Sequence, residues 1–199
     1  MIGILKIGHG NIRSLINILE RLGAEIKLVS KKDEIKNLSK LILPGVGSFN
    51  NAMCELEDKD LVEAIRNHSL EKDILGVCIG MQLMMRTGDE GGLIEGIGLI
   101  DGHVKKLSKS MGRLPHIGWN EIFREEEFDL IKDVNNQSNV YFVHSYHCEI
   151  NEKLQEVKAN FHGFDFVAGF QKNNIFGTQF HPEKSQNVGI QIIKNFLEH

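Results

Sequence analysis

The stretch Ile74-Leu75-Gly76-Val77-Cys78-Ile79-Gly80-Met81-Gln82 (residues 74–82) decides the fold, because it joins a short apolar strand directly to a helix. Glycine stands two residues before and two residues after Cys78, which is the thiol version of the Gly-x-Ser-x-Gly elbow. Such a sharp turn crowds the backbone, so its flanking positions favour residues without side chains. The turn lifts Cys78 above the sheet at a helix N-terminus, where exposed N–H groups favour a thiolate and the N–H of Ile79 faces a developing oxyanion. We therefore predict that Cys78 is a nucleophile.

A buried, unreactive role is the alternative for Cys78, and it is the commoner fate of cysteine. The strand–Gly-x-Cys-x-Gly–helix context favours the nucleophile, whereas Cys54 and Cys148 have no such context and are interpreted as structural. Three cysteines without framework spacing do not indicate disulfides. We therefore expect a reducing compartment, the cytoplasm.

A thiol nucleophile needs a base, and His181 stands out among nine histidines because it ends an apolar strand and precedes Pro182-Glu183. Residues i and i+2 of an extended chain point to the same side, and a proline keeps the residue before it extended. We expect Glu183 to reach the imidazole of His181, fix its tautomer and stabilise its cation. With Cys78, the pair predicts a triad in the chain order nucleophile, base, orienter.

The other histidines are interpreted mostly as surface or structural residues, although His144 and His147 are candidates for a pocket wall. Together with His116 they lack the spacing of metal ligands, and no Cys-x-x-Cys motif supports a metal site. We expect no metal and no cofactor.

The order of apolar and amphipathic segments predicts an α/β fold with a parallel sheet covered by helices on both faces. The expected strands of the first half are 2–7, 25–29, 40–43 and 74–77, with helices at 11–22, 59–70 and 79–87. The expected strands of the second half are 97–107, 116–122, 139–144, 155–161, 165–171 and 174–180, followed by a helix at 187–197. Since no linker or repeat divides the chain, we predict one domain, 1–199, whose later strands are antiparallel additions to the same sheet.

Composition excludes two classes of function. The chain has 23 basic and 27 acidic residues, which are interspersed and give a net charge of −4, so there is no basic patch for nucleic acid. Apolar runs stay well short of the roughly 20 residues that a membrane-spanning helix needs.

Several strings resemble one known family. Gly-Val-Cys-Ile-Gly-Met-Gln (76–82) and His-Pro-Glu-Lys-Ser (181–185) are similar to motifs of the class I glutamine amidotransferases. The strings at 8–11, 43–49, 115–120 and 141–146 resemble one branch, the glutaminase subunits of imidazole glycerol phosphate synthase. The resemblance spans residues 2 to about 197. It implies a flavodoxin-like fold with a central, mostly parallel sheet and a catalytic triad of Cys78, His181 and Glu183.

The resemblance also implies an oxyanion hole of two backbone donors. One is the N–H of Ile79, and the other would come from the loop 44–47 through Val46 or Gly47. A glycine-rich loop after strand 40–43 suits this task, because ligands bind at the carboxyl edge of a parallel sheet. An ordinary turn between strand and helix is the alternative.

Substrate and partner residues follow from the same resemblance. Gln82, one helical turn after Cys78, would hold the amino-acid end of glutamine, Glu90 would bind its α-amino group, and Ser145 would contact its carboxylate largely through backbone. The docking face for the synthase would include Asn11, Trp119 and Asn120. An exposed lone tryptophan supports an interface, with a core position as the alternative.

The activity implied by the resemblance is hydrolysis of glutamine to glutamate and ammonia through a cysteine thioester. Ammonia would pass to a (β/α)8 barrel cyclase, bound as a heterodimer, that makes imidazole glycerol phosphate and AICAR in histidine biosynthesis. Two alternatives remain. A paralogous subunit supplying ammonia for amidino-sugar synthesis would share the same motifs, and the fold could also carry a non-catalytic module or a standalone hydrolase or peptidase.

Overall fold

The computed structural model describes residues 1–8, 12–45, 47–108 and 112–199. One half of its main sheet is parallel and consists of β1 (Ile2–Leu5), β2 (Ile26–Val29), β3 (Lys40–Leu43), β4 (Asp73–Val77) and β13 (Ile175–Thr178). The other half is antiparallel and consists of β8 (His116–Phe123), β9 (Ser138–His144), β11 (Gln155–Phe161) and β12 (Phe164–Lys172). Across the described residues the strand order is β2-β1-β3-β4-β13-β12-β11-β8-β9.

Helices cover both faces of this sheet. On one face lie α1 (Arg13–Arg21) and α6 (Gln186–Glu198), and on the other lie α2 (Lys32–Ile35), α3 (Phe49–Asp58), α4 (Leu61–Ser69) and α5 (Ile79–Leu83). The helices pack on the sheet through apolar faces. In α1, for example, Leu15, Ile16 and Leu19 recur at the spacing of one helix face and are buried. Two hydrophobic cores result, the first between the sheet and α1 and α6, the second between the sheet and the other helices. Successive side chains of a strand point to opposite faces, so Ile4 lies in the first core and Leu5 in the second. The predicted α/β fold is confirmed.

A second sheet departs from the sequence-based expectation. It contains β5 (Met85–Gly88), β6 (Ile94–Glu95), β7 (Ile100–Lys106) and β10 (Tyr146–Ile150), in the order β10-β7-β5-β6 among the described residues. The prediction that every later strand extends the main sheet is therefore wrong for the strand expected at 97–107. The helix expected at 79–87 is also too long, because it ends at Leu83 and Met85 pairs with Ile100.

Two further helices, α2 and α3, were not predicted. Helix α3 begins with Phe49-Asn50-Asn51, and asparagine is a weak helix former that favours turns. Tertiary packing decides here, because Phe49, Met53 and Leu56 are buried in the second core.

The topology brings three loops together at one edge of the main sheet. Strand β4 pairs in parallel with β3 on one side and with β13 on the other. The segments that follow Leu43, Val77 and Thr178 therefore leave the sheet side by side, at the carboxyl edge where α/β folds bind ligands. None of the helices in the described ranges has the length and apolar character needed to cross a membrane.

Candidate active site

Cys78 sits on a strained elbow between β4 and α5. Its φ of 52° and ψ of −108° lie in a region that costs a non-glycine residue on the order of 1–3 kcal/mol. Its N–H donates to the carbonyl oxygen of Thr178 at 2.6 Å, which ties the elbow to β13. A Cβ atom at Gly76 would lie 2.6 Å from backbone atoms of Gly80, and one at Gly80 would lie 1.9 Å from the carbonyl oxygen of Leu43. The predicted need for glycine at both flanking positions is confirmed.

The sulfur of Cys78 is surrounded by polar groups although the residue is only 5% exposed. Gln179 donates an amide N–H to Sγ at 3.6 Å, and the thiol can donate to the carbonyl oxygen of Val143 at 3.9 Å. The side chain of His181 lies close enough to interact with the same cysteine, and this interaction helps to raise the pKa of the imidazole. The sulfur can therefore exist as a thiol or as a thiolate without leaving its place.

His181 and Glu183 form the second half of the site. The imidazole Nδ1 lies 2.7 Å from Oε1 of Glu183, which leaves Nε2 for Cys78. Burial lowers the pKa of His181, but the hydrogen bonds to Cys78 and Glu183 and the negative charges of both residues outweigh it and raise the pKa to about 10. The imidazole is therefore cationic at neutral pH.

The predicted contact between His181 and Glu183 is confirmed, but the expected reason for it is incomplete. His181 is extended, as a residue before proline should be, with φ −96° and ψ 98°. The chain then turns through a 3₁₀ segment, Pro182–Lys184, instead of continuing as a strand. The turn brings the carboxylate back to the imidazole. The backbone N–H of His181 is held by the carbonyl oxygen of Tyr141 at 2.9 Å.

A cavity of about 440 Å³ opens beside Cys78. Its walls include Pro44 and Gly45 from the loop after β3, and Ser145 and Tyr146 at the start of β10. A Cβ atom on Gly45 would lie 2.5 Å from Cβ of Cys78, so this loop passes directly against the elbow. The cavity is large enough for a small metabolite.

The three residues expected in the oxyanion hole can be placed in part. Ile79 lines the cavity and is the first residue of α5, so its N–H has no acceptor within the helix. Gly47 also lines the cavity and has φ +92°, which glycine adopts readily. Val46 lies outside the described residues.

The three residues expected to bind substrate all line the cavity. The amide nitrogen of Gln82 already donates to the carbonyl oxygen of Tyr146 at 3.0 Å and to Oε1 of Gln179 at 2.9 Å, whereas its own Oε1 has no partner among the described residues. Glu90 accepts the N–H of Phe49 at 2.7 Å through Oε2. Ser145 uses its carbonyl oxygen to hold the N–H of Leu107 at 2.9 Å.

The residues expected at a docking face have different surroundings. Trp119 is 48% exposed and packs edge-on against Tyr141, with ring centroids 5.9 Å apart, so the alternative of a core tryptophan is wrong. The amide of Asn120 is held within the chain, where Nδ2 donates to the carbonyl oxygen of Asn160 at 2.6 Å. Asn11 lies outside the described residues.

His144 lines the cavity, as expected, whereas His147 packs against Phe164. Nδ1 of His144 lies 2.8 Å from the carbonyl oxygen of Tyr146, and Nε2 lies 3.0 Å from Nδ1 of His116. Burial lowers the pKa of His144 to about 3 and that of His116 to about 4. Both are therefore neutral hydrogen-bonding groups at physiological pH.

Three residues at the site were missed from sequence: Val143, Tyr146 and Gln179. The first two lie within the string 141–146, which resembles one family branch, but nothing local aims a carbonyl oxygen at a cysteine 65 residues earlier. The sequence did contain a signal that could have identified Gln179 as a site residue. Gln179 is a polar residue near the end of an apolar strand, two positions before the predicted base.

The fold, with a cysteine on an elbow and a His–Glu pair beside it, defines a class of protein: residues 4–199 match the family described as Glutamine amidotransferase class-I. A solved structure of a glutamine amidotransferase superposes with a TM-score of 0.78 at 20% identity, over 99% of this chain and 97% of that one. At that identity the likeness concerns the fold alone.

Two curated relatives narrow the class. The chain is 40% identical to imidazole glycerol phosphate synthase subunit HisH 1 of Campylobacter jejuni (strain RM1221), over 99% of both proteins. It is 42% identical to the corresponding HisH subunit of Caldanaerobacter subterraneus subsp. tengcongensis, over 100% of this chain and 98% of the relative. The chain therefore belongs to the class I glutamine amidotransferases and, within them, to the HisH family.

Proposed function

We propose that Cys78, His181 and Glu183 hydrolyse the side-chain carboxamide of glutamine and release ammonia. The observation that carries this proposal is the convergence of the three groups on one cavity, which all three line. Cys78 interacts with His181 and helps to raise its pKa, and His181 bonds to Glu183 at 2.7 Å. Three groups in this order are what an activated thiol nucleophile requires.

In the first step the proton of Cys78 resides on His181, and the thiolate attacks the carboxamide carbon. The oxyanion that forms accepts the N–H of Ile79 and a second N–H from the loop containing Val46 and Gly47. Each such donor is worth about 3 kcal/mol at the transition state. His181 then gives its proton to the departing amine, ammonia leaves, and a γ-glutamyl thioester on Cys78 remains.

In the second step His181 removes a proton from water, which attacks the thioester carbon. The oxyanion uses the same two donors, the carbon–sulfur bond breaks, and glutamate is released with Cys78 again a thiolate. Glu183 stays ionised and stabilises the imidazolium throughout. No group beyond the chain and water is needed for this chemistry.

Recognition of the amino-acid end of glutamine falls to groups across the cavity. Glu90 offers a carboxylate to the substrate ammonium, and its charge is close enough to Tyr146 to add to burial in raising the pKa of that tyrosine. Gln82 lines the same cavity, and its buried Oε1 has no partner among the described residues. Ser145 would meet the carboxylate through its backbone.

The biological role follows from the family. The chain is the glutaminase subunit of imidazole glycerol phosphate synthase and serves histidine biosynthesis, as the names of its curated relatives support. We assign it a (β/α)8 barrel cyclase as its partner in a heterodimer. We place it in the cytoplasm, since Cys54, Cys78 and Cys148 are all unpaired.

An apolar surface supports a partner at the mouth of the cavity. Ile117 is 60% exposed and Trp119 is 48% exposed, and both lie on one face of β8. They pair across the sheet with Val143 and Tyr141, so the four side chains share that face. Val143 also lines the cavity. A cyclase bound here would receive ammonia before water protonates it.

The alternatives are less well supported. The relatives are named as synthase subunits, which favours histidine biosynthesis over ammonia supply for amidino-sugars. A binding module would not need the Cys–His–Glu arrangement. A standalone hydrolase would not need the apolar surface formed by Ile117, Trp119, Tyr141 and Val143.

The proposal is tested by glutamate release from glutamine, measured with and without the cyclase. We expect weak release by the chain alone, stronger release in the complex, and no release by Cys78→Ala in either condition. Cys54→Ala is the matched control and should keep wild-type rates. Activity that survives in Cys78→Ala would rule out this mechanism. Complementation of a histidine-requiring strain separates the histidine pathway from amidino-sugar synthesis.

A further inference from the structure

Gln179 is a buried amide in contact with the reacting sulfur. It follows β13 directly and is fully buried, and its backbone N–H is fixed by the carbonyl oxygen of Ala168 at 2.8 Å. Its side-chain nitrogen lies 3.6 Å from Sγ of Cys78. An amide N–H can only donate, so this contact is more favourable to a thiolate than to a thiol.

The direction of this amide is set by a second glutamine. Nε2 of Gln82 lies 3.0 Å from the carbonyl oxygen of Tyr146 and 2.9 Å from Oε1 of Gln179. A peptide carbonyl only accepts, so it requires the nitrogen end of Gln82. The remaining proton of that nitrogen requires the oxygen end of Gln179. The nitrogen end of Gln179 is therefore left for the sulfur.

The carbonyl oxygen of Tyr146, where this series of hydrogen bonds begins, is itself held in place. Nδ1 of His144 lies 2.8 Å from the oxygen of Tyr146, so that oxygen accepts from both His144 and Gln82. Gln82 belongs to α5, and its own N–H bonds to the carbonyl oxygen of Cys78 at 3.1 Å. A flip of the Gln82 amide would set its oxygen against the oxygens of Tyr146 and Gln179, and a flip of the Gln179 amide would set two N–H donors against each other. Either arrangement is costly in a buried space.

We propose that Gln179 is a further catalytic residue, which stabilises the thiolate of Cys78 through its amide N–H, and that Gln82 is a positioning residue that fixes the direction of that amide. The inference rests on the proposed function and adds a donor to it. When the proton of Cys78 moves to His181, the bond from the thiol to Val143 is lost, and the bond from Gln179 becomes charge-assisted. Gln82 acts on the sulfur only through Gln179, whatever it also does for the substrate.

The test measures the reactivity of Cys78 towards iodoacetamide as a function of pH, by mass spectrometry of the peptide that contains it. A small neutral reagent avoids dependence on glutamine binding. In Gln179→Met we expect alkylation at pH 7 to fall about tenfold, which is the size of one charge-assisted hydrogen bond. The pH of half-maximal rate should rise by about one unit. In Gln179→Glu, a carboxylate beside the sulfur should increase both effects.

Variants of Gln82 test the positioning role separately from direct contact with the sulfur. Gln82→Met should slow alkylation of Cys78 although Gln82 makes no contact with the sulfur. In the double variant Gln82→Met/Gln179→Met, the first substitution should add less than about twofold, because its effect passes through the second residue. Independent, multiplying effects would contradict the positioning role.

Two controls are contained in the chain. Exposed Cys54 reports reagent reactivity and should alkylate equally in every variant. Gln171→Met removes another buried glutamine amide, which bonds to Leu130 and Asp129 away from the cavity, and should leave Cys78 unchanged. If Gln179→Met does not fold, the isosteric Gln179→Glu and Gln82→Met carry the test.

The outcomes separate this inference from the proposed function. An unchanged pH profile in the Gln179 and Gln82 variants, with glutaminase activity abolished by Cys78→Ala, overturns the inference alone. Glutamate release that survives in Cys78→Ala overturns the proposed function, while the alkylation profiles still report whether Gln179 acts on the sulfur.

Discussion

Nδ1 of His181 lies 2.7 Å from Oε1 of Glu183, because the 3₁₀ turn that begins at Pro182 brings the carboxylate back to the imidazole. The bond fixes which imidazole nitrogen faces Cys78. The other carboxylate oxygen, Oε2, has no partner in the described part of the chain. Among the described residues the carboxylate therefore interacts through one oxygen only, and this interaction stabilises the cationic imidazole of His181.

The protonation of His181 is the first prediction. Since the bonds to Cys78 and Glu183 raise its pKa to about 10, its imidazole should remain protonated from pH 6 to pH 8. In Cys78→Ala the pKa should fall, because burial then opposes Glu183 alone. Nitrogen chemical shifts in NMR spectra report both states. His144 is an internal control that should stay neutral in the same spectra. A neutral His181 at pH 7 in the wild type would contradict the ion pair.

Removal of the charge of Glu183 is the second prediction. Glu183→Gln should lower glutamate release about 100-fold, because the amide neither fixes the tautomer nor stabilises the cation of His181. Steady-state kinetics of the complex measure this effect. Glu152→Gln is a matched control that loses an ion pair with Lys172 away from the cavity, and its rates should be those of the wild type. Equal losses in the two variants would argue against a special role for Glu183.

The third prediction concerns the elbow. Gly80→Ala should lower the free energy of unfolding by about 3 kcal/mol or more, since the new Cβ would lie 1.9 Å from the carbonyl oxygen of Leu43. Gly23→Ala is the control: its Cβ meets open space, and its φ of +77° costs only about 1–2 kcal/mol. Urea denaturation compares the two. Similar losses would show that the elbow is not tightly packed.

How much of this site was predictable depends on distance along the chain. The elbow and the His181–Glu183 pair are local, because glycine crowding and a two-residue separation act within one short segment. The contact of Gln82 with Gln179 joins residues 97 positions apart and depends on the parallel pairing of β4 with β13.

The same reasoning explains the secondary-structure errors. Met84 and Met85 continue an apolar helix pattern, but the pairing of Met85 with Ile100 converts the segment into a strand. No local pattern can indicate a partner that is not yet in place. The antiparallel additions to the main sheet were expected, whereas the second sheet was missed together with its strands β5, β6 and β10.

Acid sensitivity is the fourth prediction. The unfolded chain binds protons at His116 and His144 near pH 6.5, whereas the folded chain does so only near pH 4 and pH 3. Their contribution to stability is therefore present above pH 6.5 and is lost as the pH falls towards 4. His144→Gln removes one of these titrations, while an amide can still donate to Tyr146 and accept from His116. Between pH 7 and pH 5 this variant should lose about 2 kcal/mol less than the wild type.

Urea denaturation at the two pH values measures the difference. His181 does not disturb the comparison, because it titrates in the same way in both proteins. Its raised pKa adds stability that is present in full below pH 6.5 and is lost as the pH rises from there towards 10. An equal loss in His144→Gln and the wild type would show that His144 is not buried in its neutral form.

The central claim is that Cys78 is the nucleophile of a glutaminase, and covalent labelling by a glutamine-analogue electrophile tests it most directly. Peptide mapping of the labelled complex should find one adduct, on Cys78, whose formation is slowed by excess glutamine and abolished in Cys78→Ala. Cys54 and Cys148 should remain unmodified. An adduct on either of these cysteines in place of Cys78, or undiminished labelling of Cys78→Ala, would contradict the account.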